Sequence, residues 1–258
     1  MSTKLPAMIL HRGPNQPGHY VWSPFVTKTE FGLRVATLPY TSGSGGPSSG
    51  PKGKIPYLSL SAANDTPEIL SDSTLIPKAL VSKNLMHDLN ARLSAKDRAT
   101  DLAIRSLLED KLHYCNIKER WVDNFYTMRD FVMANIPWPM RVVVGNLAYR
   151  GNVRKLNDQG MGRFSDDEIR GFRREIWESV NAFLDDGRKK ARGEECWWVL
   201  GGEKPTDADA TVYGYVVSAL VAEAGPESGR LLREEFGRVV EWAGRVHGRY
   251  FEDYQVWK

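Results

Sequence analysis

The chain has 258 residues, and its 35 basic and 32 acidic side chains give a formal net charge of +3. A hydrophobic fraction of 41% and a charged fraction of 26% are ordinary for a globular protein and exclude a chain dominated by disorder. The basic residues form no broad stripe with interleaved aromatics, which argues against a nucleic-acid-binding surface. Two cysteines, Cys115 and Cys196, are too few for a disulfide framework or a metal cluster, so we expect no bound metal and a reducing compartment.

No segment of the sequence is apolar enough over a sufficient length to span a membrane. The N-terminal residues contain only a short apolar run, and no stretch approaches the roughly 18 apolar residues that a membrane span needs. We therefore expect a cytoplasmic protein without a membrane span.

The first predicted elements are a strand and a helix joined by a loop. Residues 6–10 (PAMIL) form a short apolar run typical of a buried strand, and residues 11–19 (HRGPNQPGH) are rich in turn formers. Helical spacing then runs from Pro24 to near Leu38. The simplest interpretation of Ser23 and Pro24 is an N-cap followed by a first-turn proline. The free N–H groups at such a helix end also favour an anion.

The next two segments predict an irregular strand and then a regular one. Residues 41–53 (TSGSGGPSSGPKG) are too rich in Gly, Ser and Pro for a long regular element, so any strand here is expected to be short. Residues 54–58 (KIPYL) read as a strand that begins beside a special turn or at a sheet edge, because Pro56 cannot sit mid-sheet. Frequency alone favours a trans Ile55–Pro56 bond, since only about 5–6% of X–Pro bonds are cis.

Helix starts dominate the rest of the sequence. Asp72 and Ser73 precede an apolar helical run, and Ser73 suits a helix cap. From about residue 80 the strand signals give way to helical periodicity, with capping-box patterns at Ser94, Ser165 and Thr206. The sequence thus predicts a strand-containing N-terminal part followed by a helical part.

The segments WSPFVTK (22–28), GKIPYL (53–58), DSTLI (72–76) and PTDADAT (205–211), in this order, resemble the glutathione transferase superfamily. The resemblance covers nearly the whole chain and implies its fold class. We expect an α/β thioredoxin-like glutathione-binding domain over residues 1–85, followed by an all-α domain like the glutathione transferase C-terminal domain over residues 86–258.

The same resemblance assigns the catalytic residue. Ser23 and Val26 take the places of the two cysteines in the C-P-x-C turn of the thioredoxin superfamily, so this site cannot carry out disulfide exchange by itself. One hydroxyl remains, at a helix N-terminus that favours a thiolate brought by a ligand. The resemblance therefore makes Ser23 the catalytic residue and glutathione the co-substrate.

Further site residues follow from the resemblance in the same way. A cis proline is expected at Pro56, with the Ile55 backbone and Lys54 beside glutathione. Asp72 and Ser73 are expected at its γ-glutamyl end. Three aromatic residues are candidates for an apolar substrate wall, although core packing would explain them equally well; they are Tyr114, Trp121 and Tyr126.

Two functions are consistent with these residues. Within the superfamily the chain resembles the failed-axon-connections and metaxin-like branch, in which fold alone does not settle function. The first function is a glutathione S-transferase-like enzyme, expected as a homodimer, that activates the glutathione thiol for attack on a small, largely apolar electrophile, in conjugation or glutathione-dependent isomerisation. The alternative is a non-catalytic protein-interaction module of the same fold. The combined presence of Ser23, Ile55–Pro56 and Asp72–Ser73 favours the enzyme.

Overall fold

A computed structural model describes residues 5–14, 16–61, 66–191 and 196–257. Its first part is a four-stranded sheet with two helices. The elements of this part are β1 (Ala7–His11), α1 (Pro24–Val35), β2 (Thr41–Gly43), β3 (Tyr57–Ser61), β4 (Glu68–Ser71) and α2 (Leu75–Ser82).

The strand order in the sheet is β2-β1-β3-β4. Strand β1 pairs parallel with β2 and antiparallel with β3, which pairs antiparallel with β4. Leu10 and Leu58, paired across β1 and β3, are both fully buried, as are Ile76 and Leu80 of α2 in the same cluster. This arrangement is the thioredoxin-like domain expected from the sequence.

The Gly/Ser-rich segment is ordered but nearly without regular structure. Strand β2 has three residues, and a single 3-10 turn at Pro47–Ser49 is the one helical element of the described chain between β2 and β3. The expectation of a short second strand is confirmed.

The second part is helical. It begins with a long helical segment that consists of four consecutive elements: α3 (Ala95–Ser106), a π-helical stretch (Leu107–Leu112), α4 (His113–Ile117) and a second π-helical stretch (Lys118–Asp123). The remaining helices are α5 (Phe125–Val132), α6 (Trp138–Gln159), α7 (Asp166–Lys190), α8 (Asp207–Val221), α9 (Pro226–Glu235) and α10 (Gly237–Tyr250). The expected fold class, a thioredoxin-like α/β domain followed by a helical domain, is confirmed, while the boundary between residues 85 and 86 stays a prediction.

The predicted capping residues start the helices as expected. The Ser94 hydroxyl accepts the N–H of Asp97 at the start of α3, and Ser165 forms a reciprocal capping box with Glu168. At the start of α8, the buried Asp209 carboxylate accepts the backbone N–H and the hydroxyl of Thr206, both at 2.8 Å, and the Val199 N–H at 2.7 Å. Asp209 therefore joins the beginning of α8 to the segment before it, which is the folding role that the sequence indicates.

Helices α1 and α8 pack closely because α8 carries a glycine at the contact. A Cβ atom on Gly214 would lie 2.3 Å from the carbonyl oxygen of Pro24 and 3.2 Å from the N of Lys28. The backbone of α1 thus approaches α8 at the first turn of α1. The helical domain, through α8, sets the position of the N-terminus of α1.

The C-terminal residues also hold the sheet domain. Arg34 of α1 makes a bidentate ion pair with Asp253, at 2.5 and 2.9 Å, and donates to the Tyr250 carbonyl at 2.7 Å. The Tyr254 hydroxyl donates to the buried Glu30 at 2.7 Å. These contacts fix the end of the described chain against α1.

In the described residues, no helix has both the length and the apolar character that crossing a membrane requires.

Candidate functional site

The Ser23 hydroxyl is free at the N-terminus of α1. Ser23 has an extended backbone (φ −81°, ψ 117°) directly before Pro24 at the first turn, and its side chain makes no capping hydrogen bond. The side chain is half-buried, and no residue that the structure describes bonds to its hydroxyl. Ser23 is thus the N-cap residue and Pro24 the first-turn proline, as the simple interpretation has it, but the hydroxyl does not cap the helix. The hydroxyl and the positive end of the helix dipole stand together, which suits an anionic sulfur.

The segment before β3 presents backbone groups to a ligand. The Ile55–Pro56 peptide bond is cis, as the resemblance implies, and Pro56 is buried. Neither the N–H nor the C=O of Ile55 bonds to a described residue, because the β3 ladder begins at Tyr57. Unpaired backbone groups at a strand end can pair with the backbone of a peptide such as glutathione.

Asp72, not Ser73, caps the second helix. Asp72 lies in the left-handed region (φ 88°), and its Oδ1 accepts the N–H groups of Thr74 at 2.9 Å and Leu75 at 3.2 Å. Its Oδ2 lies 2.5 Å from the Lys54 ammonium nitrogen. The cap expected from Ser73 is wrong, because the turn at Asp72 aims the carboxylate back at the helix start. Ser73 is buried, and its hydroxyl makes no hydrogen bond with the described part of the chain.

The charge on Asp72 is stabilised where it lies. Partial burial alone would raise the pKa of this carboxyl, but Lys54 and the N–H groups of Thr74 and Leu75 outweigh it and lower the pKa. Asp72 is therefore ionised at neutral pH, and Lys54, whose side chain is 55% exposed, is its movable partner.

Hydrogen bonds connect these three segments to one another. The Asp72 N–H reaches the Pro56 carbonyl at 3.4 Å. The buried Lys28 ammonium group on α1 donates to the hydroxyl of Thr74 at 3.1 Å and pairs with Glu109 of the helical domain at 2.6 Å. The predicted glutathione residues thus lie on connected elements, and Lys28, to which the sequence assigned no role, joins them.

The helical domain holds the residue before Ser23. The Trp22 carbonyl accepts hydrogen bonds from Arg120 at 2.9 Å and from the Ser218 hydroxyl at 2.5 Å. The Trp22 ring stacks on Phe131 of α5, with ring centroids 3.6 Å apart and planes at 6°. Ser23 is therefore held by residues that lie about a hundred or more positions further along the chain.

The three aromatic residues predicted for the substrate wall differ in their surroundings. Tyr114 and Trp121 are partly buried and pack against the core of the helical domain. This is the core-packing role that the sequence allowed as the alternative to a substrate wall. Tyr126 is 70% exposed and lies against Phe125 and Arg129. Their substrate role stays a prediction.

Two rings to which the sequence assigned no site role meet at the first turn of α1. Phe25, two residues after Ser23, meets His113 of α4 edge to face at 5.1 Å. Burial, and the positive charges of Lys155, Arg120 and Lys54, lower the pKa of His113 to about 4, so the ring is neutral at pH 7. A neutral, partly buried ring beside an aromatic ring suits an apolar ligand.

Two cavities, of about 360 and 240 Å³, lie elsewhere in the helical domain. Both are lined by Arg170, Arg173 and Glu227, and neither is lined by Ser23, Ile55 or Asp72. Their polar, mutually paired walls fit surface clefts between helices better than an apolar substrate site.

A thioredoxin-like domain that carries a cis proline and a serine at the N-terminus of its first helix, joined to a helical domain, defines the class of this protein. It is a thioredoxin-fold protein whose site has a hydroxyl in place of the redox cysteine.

Comparison with known proteins relates part of the chain to a family. Residues 24–126 match the family model of the glutathione S-transferase N-terminal domain. The chain is 31% identical over 141 residues to the isoprene-epoxide–glutathione S-transferase of Rhodococcus sp. strain AD45; the match covers 53% of this chain and 57% of that relative. The chain thus spans little more than half the length of this curated relative.

Solved structures share the fold over nearly the whole chain. Glutathione transferase GSTFuA3 from Phanerochaete chrysosporium superposes with a TM-score of 0.62 at 15% identity, over 99% of this chain and all of that one. Rice GST1 in complex with glutathione superposes with a TM-score of 0.55 at 14% identity, over 98% and 92% of the two chains. Residues 24–126 thus carry a glutathione S-transferase N-terminal domain, and the chain has the fold of the glutathione transferases; the failed-axon-connections and metaxin-like branch stays a prediction.

Proposed function

We propose that the protein is a glutathione S-transferase that activates the glutathione thiol for attack on a small, largely apolar electrophile. The observation that carries the proposal is the free Ser23 hydroxyl at the N-terminus of α1, on elements that also bear the cis Ile55–Pro56 bond and the Asp72 carboxylate. A hydroxyl donor and a helix dipole act on a thiolate in the same direction.

The ligand assignment follows from charge. The γ-glutamyl ammonium group of glutathione would lie at Asp72, which is ionised and capped, with Ser73 beside it. The exposed Lys54 would then be released from Asp72 toward a carboxylate of the ligand. The Ile55 backbone would pair with the cysteinyl residue. This arrangement leaves the sulfur for Ser23.

The thiolate is the reactive species. A thiol with a pKa near 8.5 is only about 3% ionised at pH 7, and lowering that pKa by two units corresponds to about 2.7 kcal/mol. The thiolate sulfur then attacks an electrophilic carbon. With an epoxide, the C–S bond forms as the C–O bond breaks, and the alkoxide takes a proton from water.

The relative that acts on isoprene epoxide supports small apolar epoxides as the first class to test. Phe25, two residues after Ser23, and the neutral His113 that packs against it supply uncharged aromatic surface at the first turn of α1 that suits such a substrate. Conjugation and glutathione-dependent isomerisation share the thiolate attack and differ in whether the adduct is released, so product analysis separates them.

Calorimetric titration with glutathione tests the proposal, with S-methylglutathione as a ligand that binds but has no thiol to react. Disappearance of free thiol in the presence of a small alkyl epoxide, measured against the uncatalysed rate, then tests turnover. Binding of both ligands with turnover of glutathione alone supports the enzyme. No binding of glutathione at millimolar concentration would contradict it and would make the interaction module the leading function.

An apolar surface on α6 supports the homodimer expected of the enzyme. Three residues along one side of α6 are exposed apolar side chains: Met140 (60%), Val143 (60%) and Leu147 (63%). Single exposed apolar residues are ordinary, but a stripe at helical spacing marks a contact surface. An apolar stripe is self-complementary about a twofold axis, so we propose a second copy of the chain as its occupant, which is the expected homodimer.

Sedimentation of the protein and of a Leu147→Glu variant tests the homodimer, with Leu102→Glu, at a leucine of α3 that is 55% exposed, as the control for an added acid. A dimer that the Leu147 variant alone dissociates supports it, and a wild-type monomer contradicts it.

The cytoplasmic location also stays part of this proposal. It is supported by Cys115 and Cys196, which are both buried and unbridged, as in a reducing compartment.

A further inference from the structure

A buried arginine of the helical domain contacts the peptide group that ends at Ser23. Arg120 is 5% exposed, and its guanidinium donates to the Trp22 carbonyl at 2.9 Å, to the Ser218 hydroxyl at 3.0 Å and to the Ser218 carbonyl at 2.9 Å. Ser218 in turn donates to the same Trp22 carbonyl at 2.5 Å. Two donors, one of them charged, therefore converge on one carbonyl oxygen.

The second π-helical stretch (Lys118–Asp123) places Arg120 on this side of the long helix. Its neighbour Glu119 is occupied elsewhere. The Glu119 carboxylate accepts the N–H and the hydroxyl of Ser228, at 3.0 and 2.5 Å, and pairs with Arg173 at 3.3 Å. Arg120 makes no ion pair of its own among the described residues, and its Nε is buried without a partner.

The charge on Arg120 is thus only partly compensated. Three groups from the elements around it carry or can carry charge: Glu119 beside it, Arg173 of α7 and the phenol of Tyr215 on α8. Burial lowers the pKa of Arg120 to about 10, which still leaves it protonated at pH 7. In a buried environment, such a cation acts over a longer distance than it would in water.

The peptide bond that Arg120 binds is the one that carries the Ser23 N–H. A carbonyl that accepts two hydrogen bonds polarises the amide on its other side, so its N–H becomes a stronger donor. The positive charge of Arg120 also acts on the Phe25 side of α1, because Arg120 is one of the three cations that disfavour the protonated form of His113 there. Both effects favour a negative charge at Ser23.

We propose that Arg120 is a positioning residue that favours ionisation of the glutathione thiol, acting through the Trp22–Ser23 peptide group and through its own charge. This inference rests on the proposed function, since it concerns the thiol bound at Ser23. It assigns part of the activation to the helical domain. Ser23 supplies the hydroxyl, and Arg120 supplies a fixed cation behind it.

The test measures the pKa of the bound glutathione thiol. The ultraviolet absorbance of the thiolate, recorded across a pH titration, gives this pKa. Arg120→Met removes the charge, Arg120→Lys retains it, and Ser218→Ala removes the second donor to Trp22 while leaving Arg120 in place. Arg105→Met is the control for losing a partly buried arginine, since Arg105 pairs with Asp101 away from Ser23.

We expect Arg120→Met to raise the pKa of the bound thiol by about one unit, which is a tenfold loss of thiolate at pH values well below that pKa. Arg120→Lys and the control should stay within a few tenths of a unit of wild type, and Ser218→Ala, which removes one donor to the Trp22 carbonyl but no charge, should raise the pKa by less than half as much as Arg120→Met. If Arg120→Met does not fold, Arg120→Gln removes the same charge and retains hydrogen-bonding groups.

Two results would overturn the inference. One is an unchanged thiol pKa in the neutral variants. The other is a rise in Arg120→Lys as large as that in Arg120→Met, because the lost packing of the guanidinium rather than its charge would then be the cause. Absence of glutathione binding in the wild type would contradict the proposed function instead, so the two failures are distinguishable.

Discussion

Asp72 shares its carboxylate between Lys54, whose ammonium nitrogen lies 2.5 Å from Oδ2, and the first N–H groups of α2. One oxygen caps the helix and the other faces a cation on an exposed side chain. A ligand's ammonium group can replace Lys54 without disturbing the cap. The γ-glutamyl end of glutathione therefore finds a carboxylate that is already oriented and ionised.

Asp72→Asn should weaken glutathione binding by about 10- to 100-fold, because a charge-assisted contact of roughly 1.5–3 kcal/mol is lost. The amide oxygen of Asn can still cap α2, so folding should be little changed. Calorimetric titration measures the dissociation constant. Glu68→Gln is the matched control, since it removes a carboxylate from an exposed pair with Lys83 in the same sheet. Equal affinities in Asp72→Asn and wild type would show that Asp72 does not bind the ligand.

Ser23→Ala should lower kcat by about 10- to 100-fold and leave the affinity for glutathione nearly unchanged. The hydroxyl is one donor to a charged acceptor, and the peptide end of the ligand is held elsewhere. Steady-state kinetics with titration of binding separates the two effects, and Ser49→Ala, at an exposed loop position, is the control. Normal turnover in Ser23→Ala beside failed binding in Asp72→Asn would mean that another group activates the thiol.

The sequence predicted what local patterns determine. The short β2, the capping residues Ser94 and Ser165 and the cis bond at Pro56 each follow from neighbours within a few positions, or from a motif with fixed order. The choice between Asp72 and Ser73 as the cap failed because it depends on a left-handed backbone at Asp72, which the side-chain pattern does not specify.

The missed residues act at long range. Arg120 and Ser218 bond to Trp22 across 98 and 196 positions, and no local pattern distinguishes Arg120 from an arginine on a solvent-exposed helix face. Its orientation depends on a π-helical stretch, whose extra residue per turn is set by packing rather than by composition. The sequence could therefore identify the turn at Ser23 but not the groups that hold it.

Gly214→Ala should destabilise the protein by about 2 kcal/mol and reduce turnover. Its Cβ would lie 2.3 Å from the Pro24 carbonyl oxygen, so α1 must move away from α8 at its first turn. Urea unfolding measures the free energy. Gly171→Ala is the matched control, because it lies in α7 with open space around the new Cβ, and it should stabilise by roughly 0.5–1 kcal/mol. A Gly214→Ala variant as stable and active as wild type would show that this contact is dispensable.

His113 should make the stability depend on pH between about 6.5 and 4. The folded protein lowers the pKa of His113 to about 4, through burial and then through Lys155, Arg120 and Lys54, whereas an unperturbed histidine has a pKa of about 6.5. On acidification, the unfolded chain takes up a proton at this histidine before the folded one does. The stabilising contribution is thus fully present above pH 6.5 and is lost as the pH falls toward 4.

His113→Gln should remove this part of the pH dependence. We expect the free energy of unfolding of wild type, minus that of the variant, to decrease steadily from pH 6.5 to pH 4, as measured by urea unfolding at each pH. His87→Gln, at an exposed site, is the control for losing an imidazole elsewhere. A difference that stays constant over this range would mean that His113 titrates equally in both states. The cations around it would then not disfavour its protonation, and the positive potential beside Phe25 that supports the role of Arg120 would be lost with it.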